Sequence, residues 1–275
     1  MNAGRFELAA LRSALGRPLV MGILNVTPDS FFDGGRWLDQ DQALRHAIHL
    51  AEAGADIIDI GGESTRPGSE PIDASAEILR VVPLIERLRS HLDIPVSIDT
   101  CKPLVMREAV AAGASMVNDV TALRAAGAVS MVASLGVPVC LMHMQGEPRD
   151  MQLEPNYQDV VMEVKAFLLE RAGVCQRAGI RAADIVLDPG FGFGKNLQHN
   201  RALFKAIPEL CALGYPVLVG VSRKSMLGLI TGQPAPGRMP ASVVAAVLAA
   251  QRGAAMVRVH DVAETVAALA TLASL

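Results

Sequence analysis

Short apolar runs recur along the chain, and each is followed by polar or glycine-containing residues. The runs predict eight strands, near residues 19–25, 56–60, 95–99, 115–118, 137–142, 184–188, 216–221 and 255–259. Between them, apolar residues spaced three and four apart predict helices, such as 41–53, 74–90, 103–112, 157–178, 241–252 and 262–272. Eight strands alternating with helices favour a single parallel (β/α)8 barrel of the TIM type. An open doubly wound sheet has the same alternation, but the chain lacks its G-x-G-x-x-G nucleotide fingerprint.

The predicted strands share a polarity at their carboxyl ends. The first strand ends on Asn25 and enters TPDSFFDGG, the second enters GGESTRPG, and the third ends at Asp99. The sixth strand enters DPGFGFGK and the seventh enters SRKS. Because the carboxyl ends of barrel strands meet at one face, this pattern predicts a site assembled from several strand ends.

A weak internal repeat precedes three of the strands. Each copy begins with Gly-Ala, at residues 54, 113 and 253, and continues into an apolar stretch. This predicts three glycine-terminated turns that each lead into a strand. The repeat delivers three polar residues to corresponding places near strand ends: Asp59, Asn118 and Arg258.

Composition limits the classes of function. A chain of 275 residues fits one barrel domain, which we place at 19–275 after a short extension at 1–18. The 25 basic and 28 acidic residues indicate no general attraction to nucleic acid or to an anionic membrane. The most apolar segment, 243–250, is too short to span a bilayer. Any anion site is therefore expected to be local.

The four cysteines favour reduced thiols in a cytoplasmic protein. Cys101, Cys140, Cys175 and Cys211 have no C-x-x-C spacing and no histidine at ligand spacing, so neither disulfides nor a zinc site is expected. Cys101 closely follows Asp99, but no sequence feature supplies the base that a nucleophilic thiol requires.

Seven motifs in fixed order connect these features. They are GILNVTPDSF, GGESTRPG, SIDT, ND at 118–119, LDPGFGFGK, SRKS and RVHDV. With them the chain, from about Leu19 to Ala263, resembles the dihydropteroate synthase family of pterin-binding barrels. The resemblance implies an enzyme that condenses 6-hydroxymethyl-7,8-dihydropterin diphosphate with p-aminobenzoate, giving 7,8-dihydropteroate and diphosphate for folate biosynthesis. It also implies Mg²⁺ as cofactor and a homodimer, with no nucleic-acid or membrane partner.

The resemblance assigns a pterin site to the ends of the inner strands. Carboxylates and amides at such positions are costly to bury without hydrogen-bond partners, and a pterin has an edge with several N–H donors and a carbonyl. By resemblance Asp99, Asn118 and Asp188 bind that edge. Lys224 is implied to reach the pterin carbonyl, and Met142 to line the ring face.

A diphosphate site is implied beside the last strand. Arg258 and His260 are two residues apart, so their side chains point to the same side of the strand. The resemblance places both on the diphosphate, together with Thr65 and Arg66, and gives Asn25 the role of Mg²⁺ ligand. Mg²⁺ is usually held by few protein ligands plus substrate phosphates. The catalytic roles are implied for four residues: Asp99, Lys224, Arg258 and His260.

The p-aminobenzoate site is implied to lie among the loops. The resemblance assigns it to Thr65, Arg66, Pro67, Phe193, Ser222 and Lys224. The first loop, 26–36 with Phe31, and the second loop, 61–71, are rich in glycine, proline and polar residues. Because such segments have little apolar surface with which to fold alone, we expect both to be mobile lids.

A dissociative mechanism follows from these parts. An electron-rich dihydropterin releases diphosphate, the nearby Asp99 carboxylate stabilises the cation, and the aryl amine then adds to the exposed carbon. Two rival hypotheses remain open. A pterin-dependent methyltransferase would not need the Arg258–His260 pair or GGESTRPG, and a non-catalytic paralogue would be expected to lack one of the key residues.

Overall fold

A closed barrel of eight parallel strands forms the centre of the computed structural model, which describes residues 7–26, 36–65 and 68–275. The strands are β1 (Leu19–Asn25), β2 (Ile57–Gly61), β3 (Val96–Asp99), β4 (Met116–Asp119), β5 (Val139–Met142), β6 (Ile185–Asp188), β7 (Leu218–Val219) and β8 (Met256–Val259). They are hydrogen-bonded in the order β6-β5-β4-β3-β2-β1-β8-β7, and a parallel bridge between Leu187 and Val217 joins the two ends. The predicted barrel is therefore confirmed, and the open sheet is excluded.

Helices surround the barrel. They are α1 (Leu8–Leu15), α2 (Arg36–Glu52), α3 (Ala74–His91), α4 (Pro103–Ala111), α5 (Ala128–Leu135), α6 (Val160–Arg177), α7 (Leu197–Lys205), α8 (Ile207–Cys211), α9 (Ser225–Thr231), α10 (Met239–Gln251) and α11 (Val262–Ser274). The largest buried cluster is formed by apolar residues of these helices together with the strand residues that face outward toward them. Within the described residues, no helix combines the length and the apolar character needed to cross a membrane.

Apolar side chains fill the barrel interior at the amino ends of the strands. A buried cluster there takes residues from every strand except β3: Leu19, Met21, Ile57, Met116, Cys140, Val186, Leu218 and Met256. Leu8 of α1 joins it, so the first helix packs against this end of the barrel. Since side chains alternate along a strand, residues two positions further on face the same interior nearer its carboxyl end. On β1 and β7 these positions hold Ile23 and Gly220, whereas on the other five strands they are polar or carry sulfur: Asp59, Asn118, Met142, Asp188 and Arg258.

The helix bounds depend on local capping as well as on periodicity. The predicted helix 157–178 begins three residues late, at Val160, because the Asp159 side chain accepts hydrogen bonds from the amides of Val161 and Met162 and so caps the first turn. No bounds were predicted for four short helices of five to nine residues: α5, α7, α8 and α9. Helix α1 lies in the segment that the sequence assigns to the extension.

The Gly-Ala repeat forms the turns that were predicted from it. Gly54, Gly113 and Gly253 follow α2, α4 and α10, with φ angles of 95°, 117° and 97°. Such angles favour glycine because it has no Cβ. Each turn leads into a strand of the barrel. The residue five positions after each glycine, Asp59, Asn118 or Arg258, therefore lies in the barrel interior.

Candidate active site

Asp59 on β2 organises a polar network in the barrel interior. Its Oδ2 accepts hydrogen bonds from Arg258 Nε at 2.6 Å and from Asn118 Nδ2 at 3.1 Å. Asp59 is fully buried, and its Oδ1 has no hydrogen-bond partner among the described residues. The three residues delivered by the repeat therefore meet at one carboxylate.

Arg258 also connects this network to Asp99 at the end of β3. Its second guanidinium nitrogen donates to Asp99 Oδ2 at 2.8 Å. Burial raises the pKa of Asp99 to about 7, while Arg258 opposes the shift and Asp59 adds to it. Burial alone would lower the pKa of Arg258, but the two ion pairs outweigh it and raise that pKa. Arg258 is therefore a permanent cation between two carboxylates.

Asp188 and Lys224 lie on the opposite side of the site. Burial raises the pKa of Asp188, and the charge of Lys224 opposes this; its Oδ1 accepts a hydrogen bond from Gly190 N at 2.7 Å. Burial lowers the pKa of Lys224 to about 8, against the attraction of Asp188. Lys224 donates to the carbonyl of Phe191, and its ammonium lies 4.6 Å from the centre of the Phe193 ring. This cation–π contact brings together two residues that were predicted to share a subsite.

The loop after β6, residues 189–196 (loop 6), is packed tightly against the loop after β5, residues 143–159 (loop 5). A Cβ at Gly190 or Gly194 would overlap the carbonyl oxygens of His143 and Gln145, and both glycines have positive φ. The alternation of glycine and phenylalanine is explained by this packing. Phe191 is fully buried among apolar residues, whereas Phe193 packs against the cluster that contains Met142.

Ser222 and His260 are in direct contact. The Ser222 Oγ and His260 Nδ1 atoms are 3.0 Å apart, and the His260 amide donates to the same Oγ at 3.1 Å. Arg223 lies beside them with a φ of 56°, an uncommon angle for a residue with a Cβ. Its guanidinium donates hydrogen bonds to Asp261, including one of 3.0 Å from Nε, and its backbone amide donates a hydrogen bond of 2.9 Å to Ser242 Oγ. The seventh and eighth strand ends are thereby fixed together.

The described part of the second loop is anchored by a cluster of three charged side chains, of which one, Glu77, is fully buried. Lys102 Nζ donates to Glu63 Oε2 at 2.8 Å and to Glu77 Oε2 at 2.6 Å. Glu63 Oε1 also accepts from the amide of Ile72 at 2.8 Å, which connects the start of the loop to its end. Thr65 lies within this anchored segment and is partly exposed.

Oxygen donors at the end of β1 are compatible with a hard cation. The position where a Cβ would stand on Gly61 is 3.6 Å from Asn25 Oδ1 and 3.8 Å from Asp99 Oδ2, so both oxygens lie close to this glycine. Mg²⁺ prefers such ligands and usually retains water and phosphate oxygens as well. In the described part of the chain, no three His, Cys, Asp or Glu side chains form a dedicated metal cluster.

Not every residue expected in the site can be placed. Phe31, Arg66 and Pro67 lie outside the described residues. Arg258 and His260, expected on one diphosphate, have different partners here: Arg258 is paired with Asp59 and Asp99, and His260 contacts Ser222.

Cys101 has no sign of activation. Burial, followed by the charge of Asp119, raises the pKa of its thiol to about 11. The thiolate, which is the reactive form, is therefore disfavoured. All four cysteines are free thiols.

The sequence left several organising residues without a role. Asp59 was placed near a strand end, and its even spacing from Ile57 on β2 was a signal that it faces the interior. Lys195 ends the Gly-Phe alternation, but its buried position depends on two loops that meet only in three dimensions. The pairing of Lys102 with Glu77 likewise could not be predicted, because the two residues belong to different helix–strand units that meet only in the folded chain.

Comparison with known proteins agrees with this geometry. The chain matches the family described as pterin binding enzyme over residues 21–260. It is 48% identical over 255 residues to the dihydropteroate synthase of Escherichia coli (strain K12), an alignment that covers 93% of this chain and 90% of that protein.

Solved structures give the same result. The dihydropteroate synthase of Xanthomonas albilineans with 4-aminobenzoic acid superposes with a TM-score of 0.90 at 53% identity, covering 94% of this chain and 93% of that one. A second structure of that enzyme, in complex with 7,8-dihydropteroate, has a TM-score of 0.85 at 48% identity, with coverage of 94% and 93%.

Proposed function

The chain belongs to the pterin-binding enzyme family, and from this premise we propose that it condenses 6-hydroxymethyl-7,8-dihydropterin diphosphate with p-aminobenzoate. The products are 7,8-dihydropteroate and diphosphate, and the reaction belongs to folate biosynthesis. The observation that carries the proposal is the set of buried carboxylates and cations at the carboxyl end of the barrel. The nature of the relatives favours a synthase over the pterin-dependent methyltransferase.

The pterin subsite consists of fixed hydrogen-bonding groups. Asn118 Nδ2 is held by Asp59, which leaves the amide oxygen as an acceptor for a pterin N–H. The Asp188 carboxylate, which accepts a hydrogen bond from the Gly190 amide, is a second acceptor for pterin N–H groups. Lys224 is the donor to the ring carbonyl. Met142 is buried and supplies an apolar face beneath the ring.

Charge placement supports the dissociative mechanism. When diphosphate leaves, positive charge develops on the pterin and its methylene carbon. The carboxylate of Asp99 stabilises that charge electrostatically, with its orientation set by Arg258. No nucleophilic side chain is required, which is consistent with the raised pKa of Cys101.

The leaving diphosphate is assigned to the side of the site formed by β1 and β8. Asn25 would hold Mg²⁺, which neutralises phosphate charge when bound. His260 is held by Ser222 at the rim, where it can donate to a phosphate oxygen. Arg258, which is paired with Asp59 and Asp99 in the barrel interior, attracts the diphosphate through its positive charge. Thr65 and Arg66 are assigned to this anion from the second loop.

The p-aminobenzoate subsite is assigned to the rim of the barrel. The ring packs against Phe193 and the aliphatic part of Lys224, which already lie together. Ser222 donates to the carboxylate, and Thr65, Arg66 and Pro67 complete the subsite from the second loop. Because Ser222 contacts His260, this subsite adjoins the diphosphate subsite, as an in-place replacement of diphosphate by an amine requires.

An assay of diphosphate release tests the proposal. Purified protein with Mg²⁺ and the dihydropterin diphosphate should release diphosphate in a manner that depends on p-aminobenzoate, with stoichiometric dihydropteroate. Release without incorporation of the amine would contradict the assigned reaction. Absence of any release, with retained pterin binding, would identify the non-catalytic paralogue.

We also propose a homodimer in the cytoplasm. Leu229 and Ile230 of α9 and Val244 and Leu248 of α10 are exposed apolar residues on two helices that contact each other. An exposed apolar patch of this kind is typical of a subunit interface. Free thiols at all four cysteines support the reducing compartment. The mass of the wild-type protein in solution should be that of two chains. The mass of the Val244→Glu variant should be that of a single chain.

A further inference from the structure

Lys195 is a buried amine outside the set of residues assigned to substrate. It is 2% exposed, and its Nζ donates to His143 Nδ1, Gly190 O and Phe193 O at 2.9 Å each. The carbonyl of His143 lies 3.3 Å from the same atom. The acceptors therefore come from both loop 5 and loop 6.

The burial of this amine has an energetic cost. Desolvation lowers the pKa of Lys195 to about 7, although Asp188 attracts the charge. Burial, with the charge of Lys195, lowers the pKa of His143 to about 3, so the imidazole is neutral and accepts a hydrogen bond. A methionine of similar length would be cheaper to bury, but it could not bind carbonyl oxygens. The property that distinguishes the amine is its ability to join the two loops.

The geometry connects this junction to Phe193. The Phe193 amide donates to Gly190 O at 3.1 Å, and Lys195 binds that same oxygen and the Phe193 carbonyl. The turn that carries the Phe193 ring is thus held at both ends. On the other side of the loop, Lys224 contacts the Phe193 ring and the Phe191 carbonyl.

We propose that Lys195 is a positioning residue for the p-aminobenzoate subsite: it joins loop 5 to loop 6 and so holds the Phe193 ring against Lys224. This inference rests on the proposed function. It adds to that function a residue that touches neither substrate but sets the affinity for one of them. The pterin subsite also meets loop 6, through the hydrogen bond from Gly190 N to Asp188, but Asp99 and Asn118 are held by Arg258 and Asp59, which lie outside that loop.

Steady-state kinetics of Lys195→Met test the proposal. The KM for p-aminobenzoate should rise by about tenfold or more, the size expected when buried hydrogen bonds are lost and their acceptors are left unpaired, while the KM for the dihydropterin diphosphate changes far less. Lys205→Met, at an exposed lysine of α7, is the matched control and should leave both constants unchanged. Lys195→Gln, a shorter and uncharged donor, should give an intermediate rise. Equal changes in both KM values would overturn the proposal.

A double-mutant cycle separates positioning from general destabilisation. If Lys195 acts through the Phe193 ring, Lys195→Met should have little further effect on the KM for p-aminobenzoate in a Phe193→Ala background. If the two effects multiply as independent changes do, the ring is not the route of action and the proposal is overturned.

Amide hydrogen exchange tests the junction without substrates or turnover. In the wild-type protein, the amides of Gly192 and Phe193 should be protected, since they are bonded to Asn200 Oδ1 and Gly190 O. In Lys195→Met their exchange should accelerate by about tenfold relative to helix α7. Unprotected wild-type amides, or equal rates in both proteins, would overturn the junction. A wild-type protein with this exchange pattern but no synthase activity would instead refute the proposed function.

Discussion

At Asp99, burial and the charge of Arg258 act on the pKa in opposite directions, and burial prevails. The pKa of about 7 means that the carboxylate forms as the pH rises through neutrality. If the charged form stabilises the pterin cation, kcat/KM for the dihydropterin diphosphate should increase with pH through about 7. A pH–rate profile without this rising limb would contradict the role of Asp99.

Asp99→Asn provides the corresponding variant. It keeps the shape and much of the hydrogen bonding but loses the charge, so kcat should fall more than pterin affinity, and the rising limb should disappear. Separate measurements of kcat and of the pterin dissociation constant check this. Equal loss in both would make Asp99 a binding residue only.

Lys224 is predicted to serve both substrates. Lys224→Ala should weaken the binding of the dihydropterin and of p-aminobenzoate, with about 1.5–3 kcal/mol at stake for a charge-assisted hydrogen bond. Because burial lowers its pKa to about 8, wild-type affinity should decline as the pH rises through that value, and the variant should not titrate there. Calorimetry across this range, with Lys205→Ala as control, gives the test. Unchanged affinities would remove Lys224 from the site.

Among the elements, the anchor of the second loop has a distinctive stability signature. Lys102→Met leaves the fully buried Glu77 without its cation, which should lower the free energy of unfolding by about 3 kcal/mol. Burial raises the pKa of Glu77, and a neutral acid is cheaper to bury. The loss should therefore shrink as the pH falls.

A second substitution supplies the control for this anchor. Lys102→Met combined with Glu77→Gln should recover most of the lost stability, because the buried charge is gone. Denaturant unfolding at two pH values measures both effects. A loss that is the same at both pH values and in the double variant would show that the methylene packing of Lys102, rather than its charge, is important.

The strands were predictable because their signal is local. The run 19–25 matches β1 in full, since apolar residues buried on both faces form an unbroken stretch. The place of Arg258 near a strand end was also predictable, because it occupies the same position in the Gly-Ala repeat as Asp59 and Asn118. Its partners Asp59 and Asp99 were not, because an ion pair between β8 and β2 or β3 depends on which strands become neighbours in the closed barrel. The partners of Lys195 are mostly backbone oxygens, which no side-chain pattern reports.

For the molecule as a whole, we predict that substrates bind in order. Mg²⁺ with diphosphate is expected to supply a common charged centre for the groups assigned to the anion, among them Asn25, Thr65 and His260, and binding of this anion is expected to complete the adjoining p-aminobenzoate subsite. The affinity for p-aminobenzoate should therefore rise by a coupling of about 1–3 kcal/mol when diphosphate and Mg²⁺ are present. Calorimetric titrations with and without both ligands measure it. Equal affinities would mean that the subsite is preformed.

The ion pairs of Arg258 also bear on the order in which the protein is made. Arg258 lies 199 residues after Asp59 and 159 residues after Asp99 along the chain. On the ribosome, both carboxylates emerge long before the cation that neutralises them. Closing the barrel early would bury two negative charges without a partner, which is strongly unfavourable. A nascent chain therefore has an electrostatic reason to remain open until its eighth strand arrives, and the proposed active site forms in that same step.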